Sequence, residues 1–137
     1  MENKNVWKDI SYPLEIHSDN RGEIADIFYQ KNINHVAIIR SAPNVIRGNH
    51  YHKETTQHIL ITSGSLEYWY KDFASNDKAK FILLKKGDMV STRPFEIHTL
   101  KIGEEGNEFI VFSEGLRGGK DYESDTYRVD NIIENEF

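Results

Sequence analysis

Apolar residues in this chain come in short runs of strand length, separated by polar clusters, and nowhere do they sustain a helical period. Leu66, Tyr68 and Tyr70 alternate with Glu67, Trp69 and Lys71, so the two sets fall on opposite faces of one strand. Phe109 to Phe112 is apolar at every position, which predicts a strand covered on both sides. The pattern predicts strands over Glu23–Tyr29, Val36–Ser41, Val45–Lys53, Gln57–Thr62, Leu66–Lys71, Lys80–Leu84, Met89–Thr92, Glu96–Ile102 and Glu108–Ser113. The intervening segments at 19–22, 63–64, 75–77, 86–88 and 103–106 are rich in Gly, Asn, Asp and Ser. Such residues tolerate the positive φ and local side-chain bonding of tight reversals. Many short strands between turns predict an all-β sandwich or barrel. The polar tail from Gly115 to Phe137 is expected to be a short C-terminal arm or helix.

The chain has 137 residues, 38% apolar and 12% aromatic, enough for one core; residues 1–137 are expected to be a single domain. Seventeen Lys and Arg face 22 Asp and Glu, a net charge of −5, which argues against nucleic acid as a partner. There are no cysteines, which excludes disulfide scaffolds, thiolate metal sites and cysteine nucleophiles. The first residues lack an apolar core of signal-peptide type and no apolar run is long enough to span a bilayer. A soluble cytoplasmic protein without a membrane partner is the expectation.

Of the six histidines, His50 and His52 stand two apart around Tyr51, so in a strand both imidazoles share a face. Four residues separate His52 from Gln57, and six more separate Gln57 from Gly64. Gly87-Asp88 and Pro94-Phe95-Glu96-Ile97-His98 follow. His17, His35 and His58 have no partner pattern and read as surface or packing residues. Strict alternation sets Arg47 on the face opposite His50; a bulge at Gly48 would restore it.

Within residues 48–98 this order resembles the two signature motifs of the cupin superfamily. Gln57 stands where many metal-binding cupins carry Glu. Asp19-Asn20-Arg21-Gly22 and Ile46-Arg47-Gly48-Asn49-His50-Tyr51-His52 make the chain similar to the RmlC-like, nucleotide-sugar branch, which includes 3,5-epimerases, 3,4-ketoisomerases and capsule-synthesis cupin domains. The last of these share Asp125-Thr126-Tyr127 as well. The resemblance implies a single-domain cupin jelly roll, a double-stranded β-helix. It also implies a homodimer acting on a dTDP- or UDP-linked 4-keto sugar in deoxysugar or surface-polysaccharide synthesis.

On that resemblance His50 and His52 are the acid/base pair, since an imidazole titrates near working pH. Arg21 and Arg47 are candidates for the diphosphate, against the alternative of surface ion pairs. Gln57, Tyr68, Tyr70 and His98 complete the expected substrate site, although the tyrosine stripe is equally readable as core. No cofactor is favoured. The alternatives are a metal-dependent cupin enzyme, with a divalent ion on His50, His52, Gln57 and His98, and a non-catalytic sugar-binding cupin.

Overall fold

The computed structural model describes residues 1–115 and 124–133. Among them the only regular elements are strands. They are β1 (Glu2–Asn5), β2 (Ile16–Asp19), β3 (Gly22–Ala25), β4 (His35–Ser41), β5 (Ile46–Tyr51), β6 (Thr56–Asp72), β7 (Lys80–Lys85), β8 (Asp88–Thr92), β9 (Glu96–Glu114) and β10 (Tyr127–Arg128). No helix among the described residues is long and apolar enough to cross a membrane.

β6 and β9 are antiparallel partners along almost their whole length, and both bend where Gly64 pairs with Asn107. Below the bend, β6 and β9 lie with β8, β1 and β4; above it, they lie with β7, β5 and β10. The eight-stranded sheet is thereby folded over on itself, giving the two facing halves of an all-β jelly roll. β2 and β3 form a separate hairpin.

Two expected reversals are corners inside long strands. Segments 63–64 and 103–106 were each expected to end one strand and start another, yet β6 and β9 run through them. Gly64 and Gly106 have φ of +73° and +74°, so the glycines bend the strands in place. A Cβ on Gly64 would lie 2.2 Å from the Gly106 carbonyl oxygen, so the two backbones cross where only glycine fits.

The corner also switches the side-chain phase. Odd positions Ile59 and Ile61 of β6 face the core before it, and even positions Leu66 and Tyr68 after it. β9 does the same, with Leu100 and Ile102 before the corner and Phe109 and Val111 after it. Each buried Ile, Leu, Val or Phe among these stabilises the fold by about 1.5–3 kcal/mol relative to exposure. The opposite face of the lower half carries a second cluster of Val6, Leu60 and Met89, with Phe28 and Phe112 against it. That accounts for the two-sided apolar run at 109–112. Lys78, Lys80, Lys85 and Lys86 are exposed around β7, as a solvated edge would be.

Candidate functional site

The facing halves part at one end of the roll to leave a cavity of about 380 Å³. Its lower wall carries Gln57, Ile59, Phe109 and Val111, and its upper wall Arg47, His50, His98 and Leu100. The lining mixes aliphatic and aromatic side chains with convergent polar and charged groups, which suits a small polar ligand.

Arg47 and His50 reach the same wall through a bulge. β5 pairs with β9 as Arg47↔Leu100, Gly48↔Thr99 and His50↔His98, so one residue is extra. That residue is Asn49, with φ of +57° beside Gly48 at +100°. The Asn49 side-chain oxygen accepts a hydrogen bond of 2.6 Å from the Thr99 hydroxyl, which holds the bulge to β9. The guanidinium of Arg47 donates to the Ser41 hydroxyl at 2.8 Å and to the Arg40 carbonyl at 3.3 Å, so it is aimed before any ligand arrives.

His50, His52 and His98 form one cluster, each offering a ring nitrogen within 4.8 Å of the others'. Ring centroids of His50 lie 5.0 Å from His52 and 4.6 Å from His98. Nδ1 of His52 donates to the Asp125 carbonyl at 2.8 Å. A carbonyl only accepts, so the proton sits on Nδ1, and in the neutral ring Nε2 carries the lone pair. Nε2 is buried and has no hydrogen-bond partner among the described residues. Nδ1 of His98 likewise donates to the Glu96 carbonyl, at 3.1 Å. Burial, followed by the neighbouring His50 and His52, holds the pKa of His98 well below the imidazole range against the opposing Glu96 bond. The site therefore presents a neutral His98 and, beside it, a His52 whose Nδ1 proton is held by a backbone carbonyl and whose Nε2 has no protein partner among the described residues. Such groups can take a proton or bind a metal ion.

The matching family now settles what kind of chain this is. Residues 17–115 match the family described as the polysaccharide biosynthesis C-terminal domain. The chain belongs to that family. Its fold is that of the RmlC-like cupins. A 3,4-ketoisomerase from Thermoanaerobacterium thermosaccharolyticum in complex with TDP has TM-score 0.68 at 23% identity, over 85% of this chain and 83% of that one. The dTDP-4-dehydrorhamnose 3,5-epimerase from Sulfolobus tokodaii has TM-score 0.70 at 18% identity, over 91% and 87%. The capsular polysaccharide assembling protein CapF from Staphylococcus aureus has TM-score 0.64 at 21% identity, over 91% of this chain and 35% of that one. In sequence, the UDP-2-acetamido-2,6-beta-L-arabino-hexul-4-ose reductase of Pseudomonas aeruginosa is 24% identical over 91 residues, which is 66% of this chain. The chain spans about a quarter of that relative's length, 24%.

The fold brings Arg47, His50, Gln57 and His98 onto the cavity wall, with His52 beside them. It does not bring Arg21 there. Arg21 sits at the exposed tip of the β2–β3 hairpin, 2.6 Å from Asp19. Tyr68 is fully buried, its hydroxyl 2.5 Å from Thr92 Oγ1 and donating to Glu96 at 3.0 Å. Burial, then the Glu96 charge, raises its pKa well above that of a free phenol, so it stays protonated. Its ring lies parallel to His98, 6.2 Å away, behind the cavity wall. Tyr70 stacks on Tyr68 at 5.9 Å and also lies outside the lining. His58 is buried, its ring nitrogens bonded to Ser91 and Glu114 on the other face of β6.

Sequence reasoning missed the contribution of the C-terminal segment. β10 pairs with β5 as Tyr127↔Tyr51 and Arg128↔His50, and Thr126 and Arg128 line the cavity. This stretch has no apolar period, and only its Asp-Thr-Tyr resemblance marked it. The described part of the expected tail is thus an arm; residues 116–123 and 134–137 lie outside the described residues.

Proposed function

We propose that the chain is an isomerase of nucleoside-diphosphate-linked 4-keto sugars, acting by proton transfer between histidines. The observation that carries the reading is one cavity lined by Arg47, His50, His98 and Arg128, with His52 clustered against the two histidines. A guanidinium pair suits a diphosphate, and neutral imidazoles suit removal of a proton next to a carbonyl. The 4-keto group acidifies C3–H. His52, with its Nε2 lone pair, takes that proton, and the resulting enediolate is protonated on O4 by His50. Returning a proton to C4 as O3–H is lost gives the 3-keto sugar; returning it to C3 from the other face as O4–H is lost gives the epimer. Support comes from solved structures of the same fold, a 3,4-ketoisomerase in complex with TDP and an epimerase in complex with dTDP-4-keto-L-rhamnose. We also propose a cytoplasmic homodimer. β4 pairs with β9 alone among the described residues and exposes Val36 and Ile38, a strand edge suited to a second copy.

A second reading follows from the same cluster. Three imidazoles, two with Nδ1–H on backbone carbonyls, fit a divalent transition metal, with Gln57 nearby on the cavity wall. A bound ion would polarise the substrate carbonyl as a Lewis acid.

The test is incubation with dTDP-4-keto-6-deoxyglucose, and separately with a UDP-linked 4-keto sugar, in deuterated water with and without chelator, followed by NMR. A 3-keto product, insensitive to chelator and lost in His50→Asn and His52→Asn, supports the ketoisomerase. Deuterium at C3 or C5 without carbonyl migration supports an epimerase. Turnover abolished by chelator supports the metal reading, and TDP binding with no exchange on either sugar refutes the isomerase.

A further inference from the structure

The C-terminal arm meets the histidine cluster through Asp125, which is 4% exposed. Its carboxylate accepts hydrogen bonds from the backbone N–H groups of Lys53 at 2.9 Å, Glu54 at 2.9 Å and Thr55 at 2.8 Å. The Thr55 hydroxyl adds a further bond at 2.9 Å. Every donor belongs to the turn that follows His52. Burial on its own would raise the Asp125 pKa, but the hydrogen bonds from Lys53, Glu54 and Thr55 outweigh it and hold the group below the ordinary carboxylate value. It is therefore ionised, and charged acceptors make the stronger hydrogen bonds. The same residue's backbone carbonyl receives Nδ1–H of His52. Just downstream, Val129 N–H donates to the Asn49 carbonyl at 2.8 Å and β10 pairs with β5. The arm is thus tied to the chain on both sides of His50-Tyr51-His52.

We propose that Asp125 is a positioning residue: its carboxylate locks the 53–55 turn to the arm, and its carbonyl thereby holds His52 as the Nδ1–H tautomer with Nε2 turned into the cluster. The carbonyl is a backbone group, so it can be aimed only by fixing the segment that carries it, and the carboxylate does that. The catalytic consequence rests on the proton-transfer reading above; the tautomer does not. Without the lock, the His52 ring is free to carry its proton on Nε2, where it would occupy the lone pair that a base needs.

Long-range proton–nitrogen NMR of the imidazoles in the full chain, without substrate, reads the tautomer directly. In the parent protein His52 is expected to be wholly Nδ1–H. Asp125→Ala removes every carboxylate acceptor, and a substantial Nε2–H population is expected, with Tyr127 and Arg128 amides exchanging with solvent at least about tenfold faster. Asp125→Asn retains one acceptor oxygen but opposes an NH₂ to a backbone N–H, so an intermediate population is expected; it carries the test if the alanine variant does not fold. An Nε2–H form in the parent, or an unchanged ring in a folded variant, overturns the proposal. Under the isomerase reading the alanine variant also loses about 10- to 100-fold in kcat, with KM changed far less. A shifted tautomer in the variants together with no sugar exchange by the parent upholds the positioning role and refutes the isomerase.

Discussion

Replacing Gly48 by alanine tests the bulge that puts Arg47 and His50 on one wall. Gly48 has φ of +100°, and an added Cβ would lie 2.8 Å from the His98 carbonyl oxygen and 3.2 Å from Thr99 Cα. Both obstacles are backbone, so neither can rotate aside. A left-handed conformation costs an L residue about 1–2 kcal/mol, and overpacking typically adds about 1–3 kcal/mol. Gly48→Ala should therefore destabilise by about 2–5 kcal/mol, which at a urea slope near ~2 kcal/mol/M lowers the midpoint by about 1–2.5 M. Gly22 is the internal control. Its φ is +135°, yet nothing lies within 4 Å of its added Cβ, so Gly22→Ala should show the conformational cost alone. TDP binding, measured by calorimetry under conditions where both variants are folded, gives the second readout. Escape from the clash by slipping one residue would turn Arg47 to the face opposite His50 and weaken binding. Equal destabilisation by the two substitutions would refute the argument that close approach to β9 fixes the bulge. Unchanged TDP affinity in a destabilised Gly48→Ala would refute the link to Arg47.

Further expectations concern single side chains. Tyr68→Phe removes the hydroxyl between Thr92 and Glu96 and should cost about 1–3 kcal/mol in urea unfolding, with TDP affinity unchanged because the ring lies behind the cavity wall; a large loss of affinity would place Tyr68 in the ligand site. Arg47→Ala should weaken TDP by about 10- to 100-fold, the loss of charge-assisted bonds of about 1.5–3 kcal/mol, and unaltered binding would remove it from the site. His98 has a lowered folded pKa, so below the unfolded value of about 6.5 the unfolded chain takes up a proton that the fold refuses. Stability should therefore fall as the pH drops below that value, and His98→Gln should flatten the profile of urea midpoint against pH in that range; parallel profiles would refute it. Zinc titrated into metal-free protein should bind with an affinity that drops at least about tenfold in His98→Ala if the cluster holds metal, and equal binding by both proteins would exclude the cluster as its site.

Much of the fold is legible because alternation reports a buried face directly. Leu66, Tyr68 and Tyr70 do share the inner face, and Phe109 to Phe112 is covered on both sides. Gly64 and Gly106 were harder to read. A glycine signals that the chain needs positive φ or close approach, but a chain reversal and a strand corner both need that, and only the pairing register separates them. The His-x-His pair and the later His98 were legible as one site because their spacing is local to strands that end up adjacent. Arg21 illustrates the opposite case: its guanidinium is satisfied within its own hairpin by Asp19, an interaction of short range that motif reading does not weigh. Asp125 contacts His52 and Arg128 pairs with β5, each across more than seventy residues of sequence, where periodicity carries no information.

The residues that escape simple alternation turn out to be the ones that build the cavity. A strict two-residue period along β5 would keep Arg47 and His50 apart, and along β6 it would separate Gln57 from the face that Tyr68 occupies. Each conflict is resolved by positive φ: at Gly48 and Asn49 in β5, and at Gly64 in β6. These breaks cost local sheet hydrogen bonding and backbone entropy, so an all-β core built for stability alone would avoid them. What they achieve is geometric. The corner folds one sheet into two walls, and the bulge places a cation beside an imidazole on one of them. The arm then closes the set by anchoring His52 from outside the strands altogether. A site made this way depends more on its glycines and on Asp125 than on its exposed charges. Substitutions at those positions should therefore impair the cavity before they impair the core.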